Sequence, residues 1–276
     1  MGVGTLYVVA TPLGNLEDIT FRAVRVLKEA PVIACEDTRR TVKLLNRYEI
    51  RTPMVVFHEY NKARAGAGIL RRLREGESVA LVSDAGTPAI SDPGYDLVRD
   101  AVAGGIPVEV VPGPSALVAA LVVSGLPTDR FAFEGFLPNR AVRRRKALAA
   151  LSRETRTMIF YESPHRLASF LADASAELGE RRACVVRELT KVHEEIVRGT
   201  LPELSAEFAG RASVLGEVTV VVAGAKKTVE LSVEEIVRAA VEDSASGSSR
   251  DLAKEIAERT GLSRKEVYEE ILRQRK

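Results

Sequence analysis

The chain has 276 residues, of which 46% are hydrophobic and 28% charged, with a formal net charge of +2. That length exceeds what one core usually organises, so two core-bearing lobes are expected, and so small a charge does not by itself announce a nucleic-acid partner. Cys35 and Cys184 lie far apart with no CxxC or histidine-rich company, which speaks against a disulfide framework or a metal site; no apolar run of about 18 residues and no signal-peptide pattern occurs, so a soluble, cytoplasmic protein is expected.

In chain order, the apolar run 6–10 reads as a buried strand, followed by the loop "TPLGN" and a helical pattern through Phe21, Val24 and Leu27. A second strand, 32–35, leads into a helix that starts at Asp37 or Thr38, both good N-cap residues. The alternation continues with a strand at 55–57, a helix near 62–74, a strand at 79–83, a helix near 94–103 and a strand at 107–111. "PGPSA" then opens an apolar helix, 115–124, long enough to pack against a partner. Strands alternating with helices in this way predict a mostly parallel sheet covered on both faces.

The pattern lapses at "GLPTDRFAFEGFLPN", which holds a short aromatic strand candidate and places a lobe boundary near residue 126. A second α/β series follows: helix 141–152, strand 157–161, helix 164–177, strand 183–187, helix 202–209 and strand 217–223. Beyond it, "SASGSS" at 244–249 reads as a flexible joint, and "LAKEIAERTGLSRKEVYEEIL" gives two amphipathic helices about a short turn, with helix-turn-helix spacing. The expected architecture is therefore α/β: an N-terminal lobe over 1–125, a second lobe over 126–225 and a C-terminal helical extension over 226–276.

The loops after the strands carry the chemistry. Neither a Walker sequence nor a GxGxxG fingerprint is present. "TPLGN", "SDAGTP" and "PGPSA" hold prolines where a phosphate nest needs free backbone N–H donors, so they suit a ligand without a phosphate chain. Each loop alone is also ordinary turn chemistry; three on one sheet edge, where open parallel sheets hold their ligands, point to a site.

The ordered set "VVATPLGN", "ACEDTRRT", "FHEYN", "VSDAGTPAISDPG", "VPGPSA", "FYESPHR" and "RELTKVHEE" resembles the tetrapyrrole-methylase-type S-adenosylmethionine methyltransferases. Within them it is similar to the branch that 2′-O-methylates a decoding-centre cytidine of bacterial 16S ribosomal RNA. The resemblance covers residues 5–224 and, in general character, the helical tail. It implies two tetrapyrrole-methylase-like lobes with S-adenosylmethionine in the cleft between them, and a homodimer. It further implies that Pro12 and Leu13 wall the cofactor and that Asp84 and Thr87 meet its polar parts. Ser115 and Ala116 would present helix N-terminal amides, and Tyr161 and Glu162 would close the site from the second lobe. Ser115 reads equally as a plain N-cap.

A ribose hydroxyl is a poor nucleophile near neutral pH, so alignment is required and a general base helps. Glu36, Asp37, His58, Asn61, Glu188 and Lys191 are polar candidates near the expected mouth, and Asp37, His58 and Lys191 are put forward as catalytic. His58 reads equally as a core-edge histidine, and Glu188 with Lys191 as a solvated ion pair. The stretch 139–153 contains Arg140, Arg143, Arg144, Arg145 and Lys146 without an acidic residue, which is a phosphate footprint or a solvated helix face. Arg39 and Arg40 extend the proposed RNA surface. The expected partner is 16S ribosomal RNA or the small subunit. The competing readings are a methyltransferase acting on a tetrapyrrole or another small metabolite, disfavoured by the arginine-rich stretch, and a non-catalytic RNA-binding module.

Overall fold

The computed structural model describes residues 2–226, 233–243, 248–260 and 262–274. They form two compact units that divide between Ala225 and Lys226. Within the larger unit, β1 (Leu6–Val9), β2 (Val32–Cys35), β3 (Met54–Val56), β4 (Val79–Leu81) and β5 (Val108–Val111) build a sheet in the order β3-β2-β4-β1-β5. Every pairing is parallel, as the alternation predicts. The central strands read Val-Ile-Ala-Cys and Val-Ala-Leu and are buried along their whole length, because helices cover both faces. α1 (Phe21–Glu29) and α2 (Thr38–Arg47) press Val26, Leu27 and Leu45 against Ile33, Ala80 and Val82. On the other face α3 (Lys62–Arg74) and α4 (Gly94–Ala103) set Leu73 and Leu97 against Leu6, Ala34 and Leu81.

The second lobe holds the sheet β6-β7-β10-β8-β9, formed by β6 (Phe131–Phe136), β7 (Thr157–Glu162), β8 (Arg182–Arg187), β9 (Glu195–Thr200) and β10 (Val218–Val222). Only β6 and β7 run parallel, so this lobe is a mixed sheet rather than a repeat of the first. β9 is absent from the reading of the sequence. Its residues, Glu-Ile-Val-Arg-Gly-Thr, lie at the sheet edge and none is fully buried, so no apolar alternation marks them. α6 (Ala141–Ala150), α7 (Leu167–Leu178) and α8 (Leu201–Ala209) cover one face. The other face is covered by α5 (Ala116–Ser124), whose Ala120 and Leu121 pack on Ile159, Cys184 and Val221. α5 thus follows the first lobe in sequence and packs with the second.

The smaller unit has α9 (Val233–Asp243), α10 (Ser249–Thr260) and α11 (Arg264–Gln274), which enclose Val237, Ala253, Ile256, Val267 and Ile271. α10 and α11 are the two expected amphipathic helices, and α9 adds a third. Residues 244–247 of the expected serine-rich joint lie outside the described residues. Among the described residues, no helix is long and apolar enough to cross a membrane.

Candidate active site

The three proline loops are tied to one another. Thr11, in "TPLGN", and Gly86, in "SDAGTP", exchange backbone hydrogen bonds of 2.9 and 3.0 Å. Thr87 Oγ1 donates to the carbonyl of Pro114 in "PGPSA" at 3.0 Å. Asp92 braces the far end of its loop, accepting from the N–H groups of Ala89 and Gly94 at 2.7 Å each. That bracing holds Ala89 and Ser91 at φ 70° and 58°, left-handed conformations that a side chain pays for and that cluster at ligand sites.

The second lobe closes on this edge. The Asn15 N–H donates to Thr190 Oγ1 at 3.2 Å, and Lys191 crosses Gly14 so closely that a β-carbon there would collide with its stem. Lys191 Nζ in turn pairs with Glu188 at 2.8 Å and Glu217 at 3.1 Å.

Between the lobes lies a cavity of about 370 Å³, whose apolar wall includes Leu13, Ile90, Phe136, Val186 and Leu189. Five carboxylates line it: Glu36, Asp84, Asp92, Glu162 and Glu217; among the described residues no Lys, Arg or His does. An apolar cleft with acids on its wall and no base among them suits a ligand that carries positive charge. Ser115 is the N-cap residue of α5, as the plain reading expects, but its side chain makes no capping hydrogen bond, and the residue lies on this lining.

Of the residues put forward for the cofactor, Leu13, Asp84, Thr87, Ser115, Ala116, Tyr161 and Glu162 all lie on this wall. Pro12 instead lines an adjoining recess of about 150 Å³, which shares Leu13, Ser83 and Asp84 with the main cavity and also takes in Arg40 and Lys43. The three catalytic candidates line neither space. Asp37 caps α2 and is wrapped by Arg39, whose hydrogen bonds hold its carboxyl down at about 2. His58 follows β3 with its backbone N–H held by Asn61 Oδ1 at 2.8 Å, and its Nδ1 is buried without a partner. For Lys191, burial pulls the pKa down, but the Glu188 and Glu217 carboxylates outweigh it and hold the amine above the usual lysine value. The two carboxylates therefore favour the charged amine, which argues against a base role for Lys191.

The basic stretch also divides. Arg140, Arg143, Arg145 and Lys146 are exposed, Arg145 while paired with Glu177, and Arg39 and Arg40 are exposed on the first lobe. Arg144 is only 4% exposed and forms a 2.6 Å ion pair with Asp173, so it is withdrawn from any RNA surface. Its helix position, four residues before buried Leu148, puts it on the core side of α6.

Three of the cavity's acids are held above the ordinary carboxylate range. Burial pushes Asp84 and Asp92 up, the first relieved in part by Arg40 and the second by its two N–H donors. Glu36 is raised to about 7, by burial first and then by Asp92 and Asp84. In the sequence it is one candidate among six. Its position one residue past β2, beside Asp84 past the neighbouring β4, is the signal that could have singled it out, since parallel neighbours end side by side.

Residues 5–205 match the model of the Tetrapyrrole (Corrin/Porphyrin) Methylases. The chain belongs to the tetrapyrrole methylase family. It is accordingly a methyltransferase. One relative, the "Ribosomal RNA small subunit methyltransferase I" of Halalkalibacterium halodurans, is 53% identical over 227 residues, covering 82% of this chain and 78% of its own. The protein of the same name from Mycobacterium tuberculosis is 45% identical, covering 100% of this chain and 97% of its own. Among solved structures, uroporphyrin-III-C-methyltransferase from Thermus thermophilus superposes with a TM-score of 0.59 at 23% identity, over 80% of this chain and 94% of its own, which shows the shared tetrapyrrole methylase fold.

Proposed function

We propose that this methyltransferase places a methyl group on the ribose 2′-hydroxyl of a decoding-centre cytidine in 16S ribosomal RNA, working as a homodimer in the cytoplasm. The methyl donor is S-adenosylmethionine, which supplies an electrophilic methyl on a positively charged sulfur. The observation that carries the reading is the pairing of an acidic cavity with an exposed basic face on α6, in a chain that shares about half its residues with relatives named for the small-subunit ribosomal RNA.

The chain's residues divide the work. Asp84, held by the Asp37 N–H at 3.1 Å and facing Arg40 at 3.5 Å, is the carboxylate for the donor's hydroxyls or ammonium. Ser115 and Ala116 offer polar contacts from the start of α5. Leu13, Phe136 and Tyr161 exclude water, with Phe136 and Tyr161 at a ring separation of 5.6 Å. Excluding water strengthens each electrostatic contact inside and leaves the acceptor no competitor for the methyl group. Arg39, Arg40, Arg140, Arg143, Arg145 and Lys146 meet the RNA backbone, which positions the substrate without reading its sequence. The outward Val118 and Val122 of α5, one turn apart and 48% and 67% exposed, are the apolar face for a second copy.

Transfer of tritium from labelled S-adenosylmethionine tests the reading, with small subunits and naked 16S RNA from cells lacking this chain as acceptors and ribose methylation mapped afterwards. Label on one cytidine ribose is expected. Label on a base, or on a uroporphyrinogen-type acceptor and not on RNA, overturns it.

A further inference from the structure

We propose that Glu36 accepts the proton of the attacking hydroxyl during methyl transfer, the role that Asp37, His58 and Lys191 do not fill. The proposal rests on the ribose acceptor of the preceding section for the identity of that hydroxyl, and on the cavity for everything else.

The argument is one of elimination among the five acids of the wall. Asp92 spends one oxygen on two loop N–H groups. Asp84 accepts from the Asp37 N–H and faces the Arg40 guanidinium. Glu162 is buried against Arg166 at 3.0 Å and takes the Ser163 N–H at 2.7 Å. Glu217 is paired with Lys191 and, at 3.7 Å, with Arg40. Among the described residues, Glu36 alone of the five makes no hydrogen bond or ion pair, although it is half-buried and lies on the cavity wall. An acid without a partner in such a place is costly to keep ionised, and the cost is the source of its use.

The groups that face it are Asp84 beyond β4, Asp92 ahead of α4 and Arg40 on α2. Burial acts first, and two carboxylates outweigh one guanidinium, so Glu36 holds a proton up to about pH 7. A cationic sulfur in the cavity favours the ionised carboxylate; a neutral one does not. The two charges can then disappear together. As the new oxygen–carbon bond forms, the oxygen–hydrogen bond breaks and its proton goes to a Glu36 oxygen. The sulfur–carbon bond breaks with its electron pair left on sulfur, which becomes a neutral thioether. The sulfur and the Glu36 carboxyl, the two reacting groups that began charged, both end neutral in a site where charge is expensive.

The test has two arms. In the first, carboxyl carbons of glutamate are labelled with ¹³C and the Glu36 resonance, assigned by its loss in Glu36→Gln, is titrated with S-adenosylhomocysteine bound and again with sinefungin, which carries an amine where the methyl sits. We expect a midpoint near neutrality with the first ligand and one lower by roughly a unit with the second. Identical midpoints, or no titration between pH 5.5 and 8.5 in either, overturn the proposal. In the second arm, Glu36→Gln binds S-adenosylhomocysteine within about threefold of wild type, lowers kcat by roughly 10²–10⁴-fold and loses the rise of log kcat with pH, while Glu36→Asp regains at least tenfold over Gln. A kcat within threefold of wild type, or binding weakened more than tenfold, overturns it, the latter because Glu36 would then hold the cofactor. If the wild-type chain labels no ribose, the acceptor assignment falls by itself; if it does and the midpoints coincide, only the base falls.

Discussion

Lys191 of the second lobe lies directly over Gly14 of the first, leaving no room for a β-carbon on that glycine. The packing works because "RELTK" bends through Glu188 and Thr190 at φ 52° and 66°, which turns Thr190 toward Asn15 and Lys191 across the loop. Gly14→Ala must therefore displace a lysine that is held by two carboxylates. We expect a loss of about 1–3 kcal/mol in thermal or denaturant unfolding, the usual cost of overpacking. Lys191→Ala removes the obstacle, so the double variant should be no less stable than Lys191→Ala alone. Strict additivity of the two losses would show that the residues do not couple.

Arg144 and Arg143 are neighbours on α6 with opposite fates. Arg144→Ala leaves the half-buried Asp173 without its partner and empties the buried guanidinium site, and should cost about 2–4 kcal/mol, whereas Arg143→Ala should stay within about 0.5 kcal/mol of wild type. RNA affinity should respond the other way once folding is controlled for. Urea melts and filter binding at one salt concentration separate the two effects.

Much of the architecture is legible in the sequence because burial writes it there. The strands of the first lobe are continuous apolar runs, and their ends are marked by proline and glycine. β9 escapes because an edge strand with no fully buried residue carries no such mark. α5 is apolar on all sides, so its sequence cannot say which sheet it covers, and Arg144 is indistinguishable from its neighbours until Asp173, 29 residues away, is seen to neutralise it. The same limit applies to the catalytic candidates: residue type draws attention to His58 and Lys191, whereas what matters is which acid is left without a partner.

The exposed cations of α6 and of its N-cap, Arg140, should act on the RNA backbone. Replacing Arg140, Arg143 and Lys146 by Gln, one at a time, should reduce the slope of log K against log salt by roughly 0.7–0.9 for each phosphate no longer neutralised, nearly independent of RNA sequence. Unchanged slopes would place the RNA on another face.

Val118 and Val122 share the outward stripe of α5, while Ala120 and Leu121 face the sheet. A single charge at Val122 is tolerable in a monomer and prohibitive in a buried apolar interface. Val122→Asp should shift the mass by light scattering from two chains to one without changing the far-ultraviolet circular dichroism. A monomeric wild type would remove the proposed dimer.

Glu36 should leave a signature in stability as well as in catalysis. Its folded pKa, about 7, lies above the value of about 4.3 expected in the unfolded chain. Folding therefore favours the protonated form: the contribution is fully present below about pH 4.3, declines as pH rises, and is lost once pH passes through about 7. Glu36→Gln, neutral throughout, is exempt. At pH 8 the variant should unfold at a higher temperature than wild type, by an amount equivalent to about 1–2 kcal/mol after allowing for solvent screening of a half-exposed group, and at pH 4 the two should nearly coincide. S-adenosylmethionine, by placing positive charge in the same cavity, should narrow the pH 8 gap more than S-adenosylhomocysteine does at equal occupancy. Calorimetric scans at both pH values measure the gap, and an equal gap at pH 4 and pH 8 would mean that Glu36 is ionised as freely in the folded chain as in the unfolded one.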